Sequence, residues 1–352
     1  MTSDPRVAHA GTEKQDAQRL GLAEAERHLL ADPRDIGALI AKGDALEGMG
    51  DDRAAASFYS AALRAAGDGR GLPPDLIADL RRIQAASRVQ AQRFETHLAD
   101  GLRKAGFDVA ASSDRFALSL DLMAGRKQLY QQQPLFYLFP GLPQIQFQPR
   151  DTVPWLAQVE QATADIRAEL QALLAEPALF QPYVETRADR PNGDTVGMAD
   201  NPDWSALFLW KDGVEQQLAR RCPRTLEALD GLPLCRVPGR TPSILFSKLS
   251  PGARIPPHHG LINTRLICHL PLIAPSGGRF RVGSDVREWK EGQAWAFDDT
   301  IEHEARNDSG LDRTILIFDV WKPELTEEEQ ALVSALFQSI DDYGAGGEAW
   351  GV

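Results

Sequence analysis

The sequence predicts an α+β protein in two parts, a helical module followed by a domain of antiparallel strands with flanking helices. Three observations predict it. Residues 15–95 are rich in Ala, Leu, Arg and Glu, with apolar residues at three- and four-residue steps. From about residue 240, short β-branched or aromatic stretches are separated by Gly, Pro, Asn and Asp. Between these regions, prolines, glutamines and aromatics replace the Ala-rich pattern near 110–135. The divisions that follow are a helical module over 1–110, an entry segment over 111–150 and a β domain over 151–345.

Within the helical part, "DIGALIAKGDALEGMGDDRAAASFYSAALRAAG" resembles a tetratricopeptide repeat. Leu39, Gly43 and Leu46 supply the large, small and large positions of a first helix, and Gly50 closes the turn. Ala55, Tyr59 and Ala62 supply the small, aromatic and small positions of a second. Small residues let two helices approach closely. The motif's closing proline is replaced by Gly67, while Pro33 suits the end of a degenerate preceding repeat. One good repeat with poor flanks makes a short module, not a long solenoid. An ordinary helical hairpin is the alternative.

"GDGRGLPPD" is a loop, and residues 76–107 return to helix. A further helix is expected over 155–177, with Pro154 near its start and Pro177 at its end. "SILFSKLS", "TRLICHLPLI", "GRFRVGS", "REWKEGQAWAFDD", "IEHEARND" and "TILIFDVW" read as strands of a sandwich or barrel. Residues 324–340 read as a closing helix capped by Thr326.

Composition narrows the function. Hydrophobic residues make up 43% and charged residues 25%, the profile of a globular protein. A formal net charge of −12 argues against a general nucleic-acid or anionic-membrane binder, though it leaves room for a local basic pocket. Three scattered cysteines do not make a disulfide framework or a cysteine zinc site. The polar N-terminus carries no secretory pattern, and no apolar run reaches membrane-helix length, so a cytoplasmic location is expected.

The chemistry-bearing stretch is "PPHHGLINTRLICHL", residues 256–270, which holds three of seven histidines and reads as a turn running into a strand. With period two, Arg265, Ile267 and His269 share one strand face, and Leu266, Cys268 and Leu270 the other. A buried cation needs a partner, and an anionic ligand would supply it. His303 lies in a polar turn further on, and Arg313 opens the last strand. Two neutral imidazoles suit Fe(II), and an arginine pairs with a carboxylate bidentately. Oxygen-activating iron sites usually carry a carboxylate two residues after the first histidine, where this chain has Gly260.

Residues about 135–325 resemble the aspartyl/asparaginyl β-hydroxylases, oxygenases that depend on Fe(II) and 2-oxoglutarate. The matching text is "FPGLPQIQF", "SILFSKLSPGARIPPHHGLINTRLICHLPL", "EWKEGQAWAFDDTIEHEARN" and "LDRTILIFDVWKPELT". The resemblance implies a double-stranded β-helix, the jelly-roll or cupin-like fold, behind the tetratricopeptide-like helices. It implies that Gly260 is a family feature and that His258 and His303 hold the iron, with water in the third place. It implies Ser247 and Arg313 at the distal carboxylate of 2-oxoglutarate, and Arg265 and His269 nearer the metal. Asp298 and Asp299 become candidates to accept a hydrogen bond from a water on the metal. Relatives can carry a second arginine where this chain has Ile267, which puts the substrate's charge in doubt.

The implied reaction is hydroxylation with O₂, first of all on the β-carbon of Asp or Asn in a polypeptide substrate. A free amino acid or a lipid acyl chain is the alternative substrate. A non-catalytic binding protein with tetratricopeptide-like helices and a zinc cupin isomerase are alternatives of other kinds. Glu302 and Glu304 flank His303 and are expected to point away from the metal. Trp204 and Trp210 are candidates for a substrate cleft or for strand packing.

Overall fold

The computed structural model describes residues 5–67, 69–186 and 197–343, and the side chains of residues 5–17 lie outside that description. The sequence-based end of the β domain at 345 also lies outside it. The chain divides into two compact units, residues 1–127 and 128–352, so the division falls inside the 111–150 entry segment. No helix among the described residues is long and apolar enough to cross a membrane.

The first unit contains α1 (Pro5–Ala31), α2 (Ile36–Gly48), α3 (Asp52–Ala66), α4 (Pro74–Lys104) and α5 (Asp114–Met123). Asp35 caps α2 by accepting from Ala38 N–H, and Asp51 caps α3 by accepting from Ala54 N–H. Gly50 turns between them at a φ of 83°. The hairpin core is Leu39, Ile40, Ala55, Tyr59 and Ala62, joined by Ile83 of α4. A Cβ at Gly43 would lie 2.4 Å from the Tyr59 ring, so the glycine makes room for that ring. The Tyr59 hydroxyl donates to Asp44 and Glu47. Its burial and these carboxylates raise the phenol's pKa.

The second unit begins with an extended segment and two short helices, α6 (Leu156–Gln161) and α7 (Thr163–Leu174). The single helix expected over 155–177 therefore breaks at Ala162. Then follow β1 (Gln181–Pro182), β2 (Trp204–Lys211), β3 (Val214–Glu215) and α8 (Pro223–Leu229). Eight strands make the barrel: β4 (Ile244–Leu249), β5 (Arg254–His258), β6 (Arg265–Ile273), β7 (Gly278–Val282), β8 (Asp285–Glu288), β9 (Trp295–Phe297), β10 (His303–Asn307) and β11 (Arg313–Trp321). The chain ends its described part in α9 (Glu327–Tyr343). Thr326 and Glu329 cap α9 reciprocally, each side chain accepting from the other's backbone N–H.

All pairings of named strands are antiparallel. One sheet runs β1-β2-β4-β11-β6-β9, with β3 on β2, and the other runs β5-β10-β7-β8. Apart from the β7–β8 hairpin, consecutive barrel strands thus cross between sheets, which is the jelly-roll, double-stranded β-helix topology. Period two sorts the large sheet's side chains. Leu266, Cys268 and Leu270 of β6 and Leu316, Phe318 and Val320 of β11 pack outward with α6–α8. Leu245, Ile315 and Ile317 pack inward against Phe280, Phe297 and Ala305. At about 25 cal/mol per Å² of apolar area, these two layers dominate the unit's stability.

Gly43→Val is expected to destabilise the helical unit by about 1–3 kcal/mol through overpacking on Tyr59. Urea unfolding followed by helical circular dichroism checks this, and an unchanged midpoint would refute the close helix approach.

Candidate functional site

The strand alternation that keeps Leu266 and Cys268 outside turns Arg265, Ile267 and His269 inward. In the same way β4 presents Ser247, and β11 presents Arg313. These meet the ends of β5 and β10 in one cavity of about 330 Å³, within the range of small-molecule sites.

His258 closes β5, where the sequence had suggested a turn, and it pairs with His303, the first residue of β10. The cross-strand register brings their rings to 4.0 Å between centroids, tilted by 49°. His258 Nδ1 lies 2.8 Å from the Pro256 carbonyl oxygen, and His303 Nδ1 lies 3.1 Å from that of Ile301. A carbonyl only accepts, so each contact is a hydrogen bond when Nδ1 carries the proton. The lone pair then lies on Nε2 in both rings. Burial lowers the pKa of His258 and drives that of His303 well below the ordinary value, so both rings are neutral at pH 7. Such a pair fits a divalent transition metal. Among the described residues, no third His, Cys, Asp or Glu completes a metal-holding group.

The space beside Gly260 is filled from another loop. A Cβ at Gly260 would lie 2.1 Å from Asp299 Oδ2, and Gly260 N–H donates to the Asp299 carbonyl. Asp299 is buried, and burial pushes its carboxyl up to about 7, against the pull of Arg265. Its Oδ1 has no partner. Glu302 and Glu304 are elsewhere, both accepting from Arg281.

Arg313 is 1% exposed, with its guanidinium 4.5 Å from the centre of the Trp289 ring. Among the described residues, Nε and Nη1 have no hydrogen-bond partner, and burial lowers the pKa to about 9. On β4, Ser247 Oγ accepts from Trp204 Nε1 of β2. His269 Nδ1 is likewise without a partner, and burial followed by the Arg313 charge holds this ring neutral. His259 also lines the cavity, and its Nε2 is partnerless.

Two sequence expectations change. Arg265 was left to an anionic ligand, but the protein supplies its partners: Asp319 at 3.1 Å and Asp299 at 3.6 Å. Burial opposes this cation, yet Asp319 and Asp299 outweigh it and its pKa rises. Asp298 does not face the metal position. Its Oδ2 accepts from Lys322 at 2.6 Å and from Gln132, and its Oδ1 accepts from Thr300. Both members of the Asp298–Lys322 pair are fully buried.

Sequence reasoning missed this anchor and the strap that it fastens. Gln133 N–H donates to the Thr300 carbonyl, Leu135 N–H to that of Gly260, and Phe136 N–H to that of Leu261. Asn263 bridges Gln132 and the backbone of Phe139. The extended segment thus ties the loop after His258 to the loop before His303. Asp319 was legible in principle, as an acid inside the apolar strand "TILIFDVW" on the same face as Arg313. Trp204 lines the cavity and stacks on Tyr183 at 4.3 Å, whereas Trp210 packs on the outer core.

Residues 160–323 match the sequence profile of a family described as aspartyl/asparaginyl beta-hydroxylase. The chain is 34% identical over 176 residues to the ornithine lipid ester-linked acyl 2-hydroxylase of Rhizobium tropici, covering 49% of this chain and 59% of that protein. It is 35% identical over 142 residues to the human aspartyl/asparaginyl beta-hydroxylase, covering 40% of this chain and 18% of that protein. It is 29% identical over 211 residues to aspartate beta-hydroxylase domain-containing protein 2 of Rattus norvegicus, covering 58% of this chain and 59% of that protein. The chain thus spans about three fifths or less of each of these relatives.

Gly260→Ala is expected to cost about 1–3 kcal/mol, because the new methyl meets the Asp299 carboxylate. Asp299→Gly in the same chain should recover most of that loss. A double-mutant cycle in urea measures the coupling, and two losses that simply add would mean the side chains do not share this space.

Proposed function

We propose that this chain, whose residues 160–323 match the aspartyl/asparaginyl β-hydroxylase family, is an Fe(II)- and 2-oxoglutarate-dependent dioxygenase. The observation that carries the proposal is the pair of neutral imidazoles, His258 and His303, facing one cavity with an unpaired buried guanidinium. When bound, Fe(II) supplies the oxygen activation that no protein side chain provides. The overall reaction turns a substrate C–H bond into C–OH. O₂ is the oxidant, and 2-oxoglutarate leaves as succinate and CO₂.

This chain's residues bind, orient and screen. His258 and His303 would hold the metal through Nε2, their rings fixed by the Pro256 and Ile301 carbonyls. Arg313, steadied by Trp289, would grip the distal carboxylate of 2-oxoglutarate, and Ser247 would add a hydroxyl. His269 stands by as a neutral polar contact. Asp299, beside Gly260, would accept a hydrogen bond from water at the metal. Phe280, Phe297, Ile315 and Ile317 keep bulk water from this end of the cavity.

Two substrate classes enter with the relatives: the β-carbon of an aspartyl or asparaginyl residue, and a lipid acyl chain. The helical unit, with Gly43 against Tyr59, supports a tetratricopeptide-like module that recruits a polypeptide partner. A zinc isomerase would ordinarily use three or four protein ligands.

His303→Ala is expected to abolish Fe(II)-dependent succinate release from 2-oxoglutarate. Arg313→Ala should raise the half-saturating 2-oxoglutarate concentration by a factor worth about 2–5 kcal/mol. Turnover with zinc in place of iron, or an unchanged 2-oxoglutarate requirement in Arg313→Ala, would overturn these assignments.

A further inference from the structure

Three buried charges stand in series between the barrel wall and the cavity. Asp319 of β11 is held on both oxygens: Oδ1 accepts from Ser243 N–H at 2.7 Å, and Oδ2 accepts from Arg265 Nη1 at 3.1 Å. Arg265 lies on the neighbouring strand β6, is 4% exposed and lines the cavity. Its Nη2 lies 3.6 Å from Asp299 Oδ2, an ion-pair contact longer than a hydrogen bond. Asp299 lines the cavity too, and its buried Oδ1 has no partner.

These charges do not cancel. Two carboxylates face one guanidinium, and the adjacent Asp298 is already taken by Lys322 at 2.6 Å. Asp319 has the shorter contact and a backbone donor as well, so the surplus negative charge is left to Asp299. Among the described residues, no cation besides Arg265 pairs with it. Burial raises its pKa to about 7, the mark of a carboxylate short of a positive partner. Its place is equally specific. The carboxylate fills the space that a side chain at residue 260 would take, with Cγ 2.2 Å from the Cβ position there. Two residues earlier is His258, whose ring lies 4.0 Å from that of His303. The Asp299 backbone is fixed by Gly260 N–H, and Arg265 is the group that fixes its carboxylate.

We propose that Arg265 is a positioning residue for the metal site: braced by Asp319, it holds the Asp299 carboxylate beside the paired imidazoles, and it takes no anion from cosubstrate or substrate. This rests on the reading of His258 and His303 as the metal's holders and adds the residues that set the charge next to them. Arg265 acts through its fork as well as its charge. Nη1 reaches Asp319 while Nη2 reaches Asp299, so a single ammonium at this position keeps one partner and frees the other. The freed carboxylate is then Asp299, because Asp319 has the shorter contact and the Ser243 N–H behind it.

The test reads metal binding rather than turnover, with Co(II) as the probe and the full chain as the protein. Arg265→Lys is expected to weaken Co(II) binding by about tenfold or more, the usual scale for a group that supports a metal from outside its ligands. Asp299→Asn should weaken it by a similar factor, and the two changes together should do no more than Asp299→Asn alone. Both should alter the visible Co(II) spectrum in the same way, which a general loosening of the barrel would not do. At saturating Co(II), 2-oxoglutarate binding measured by calorimetry should change little in Arg265→Lys and fall steeply in Arg313→Lys. Circular dichroism checks that each variant folds. Asp319→Asn, which removes the brace and leaves the cavity lining as it is, is the second variant should Arg265→Lys not fold, and the same non-additive loss with Asp299→Asn is expected of it. Unchanged Co(II) affinity in the folded variant overturns the proposal. So do losses that add, and so does a fall in 2-oxoglutarate binding in Arg265→Lys that matches Arg313→Lys. If the unmodified chain binds no Co(II), or His303→Ala leaves its Co(II) affinity intact, the metal-site reading beneath the proposal falls instead.

Discussion

A guanidinium buried inside an apolar barrel without a hydrogen-bond partner for two of its nitrogens is the constraint on which the site depends. Burying an uncompensated charge is costly, so such a group persists where folding elsewhere offsets it and where a ligand of opposite charge completes it. Arg313 sits on β11 between β4 and β6, in the most protected part of the large sheet. The Trp289 face offers it a partial substitute for solvation. The contrast with Arg265 is instructive, because one strand away the protein furnishes two carboxylates of its own. One cation belongs to the fold and the other is left for chemistry. No difference in residue type separates them; the register of Asp319 and the loop of Asp299 do.

The same barrel holds its two candidate metal-binding loops by a device outside the cavity. Lys322 follows β11 and Gln132 comes from the entry segment, yet both converge on the carboxylate of Asp298, which follows β9. Breaking a fully buried pair of this kind leaves a charge behind, which makes the arrangement close to all-or-none. Because the strap also hydrogen-bonds to Thr300 and Gly260, it ties the loop after His258 to the loop before His303. Support of this sort is what keeps a binding geometry tight when its own ligands come from strand ends.

Much of this was legible because strands with one buried face announce themselves. Period two in "TRLICHLPL" put Arg265, Ile267 and His269 on the inner face, and the structure places them there. The helical part and the capped closing helix were legible for the parallel reason that the 3.6-residue period and the Thr326 cap are local signals. What escaped were long-range partnerships. Nothing local distinguishes Asp298 from Asp299, and the fold alone makes one anchor Lys322 while the other fills the space beside Gly260. The strand β5 escaped because "RIPPH" carries two prolines, which fit a strand only at tolerant positions. The break at Ala162 escaped because the surrounding composition favours helix throughout.

Asp299 brings a carboxyl into the space that a side chain at residue 260 would otherwise occupy. A carboxylate projecting from residue 260 would share the strand end with His258 and compete for the same space. Moved to the loop before His303, it reaches that space from the opposite side, hydrogen-bonded backbone to backbone through Gly260 N–H. There it lies beside Arg265, and burial brings its proton affinity to about pH 7. A strand ligand is fixed in charge by direct contact with the metal. In the proposed dioxygenase the two imidazoles would hold the metal while this neighbouring carboxyl, raised toward neutrality by burial, would remain outside the coordination shell.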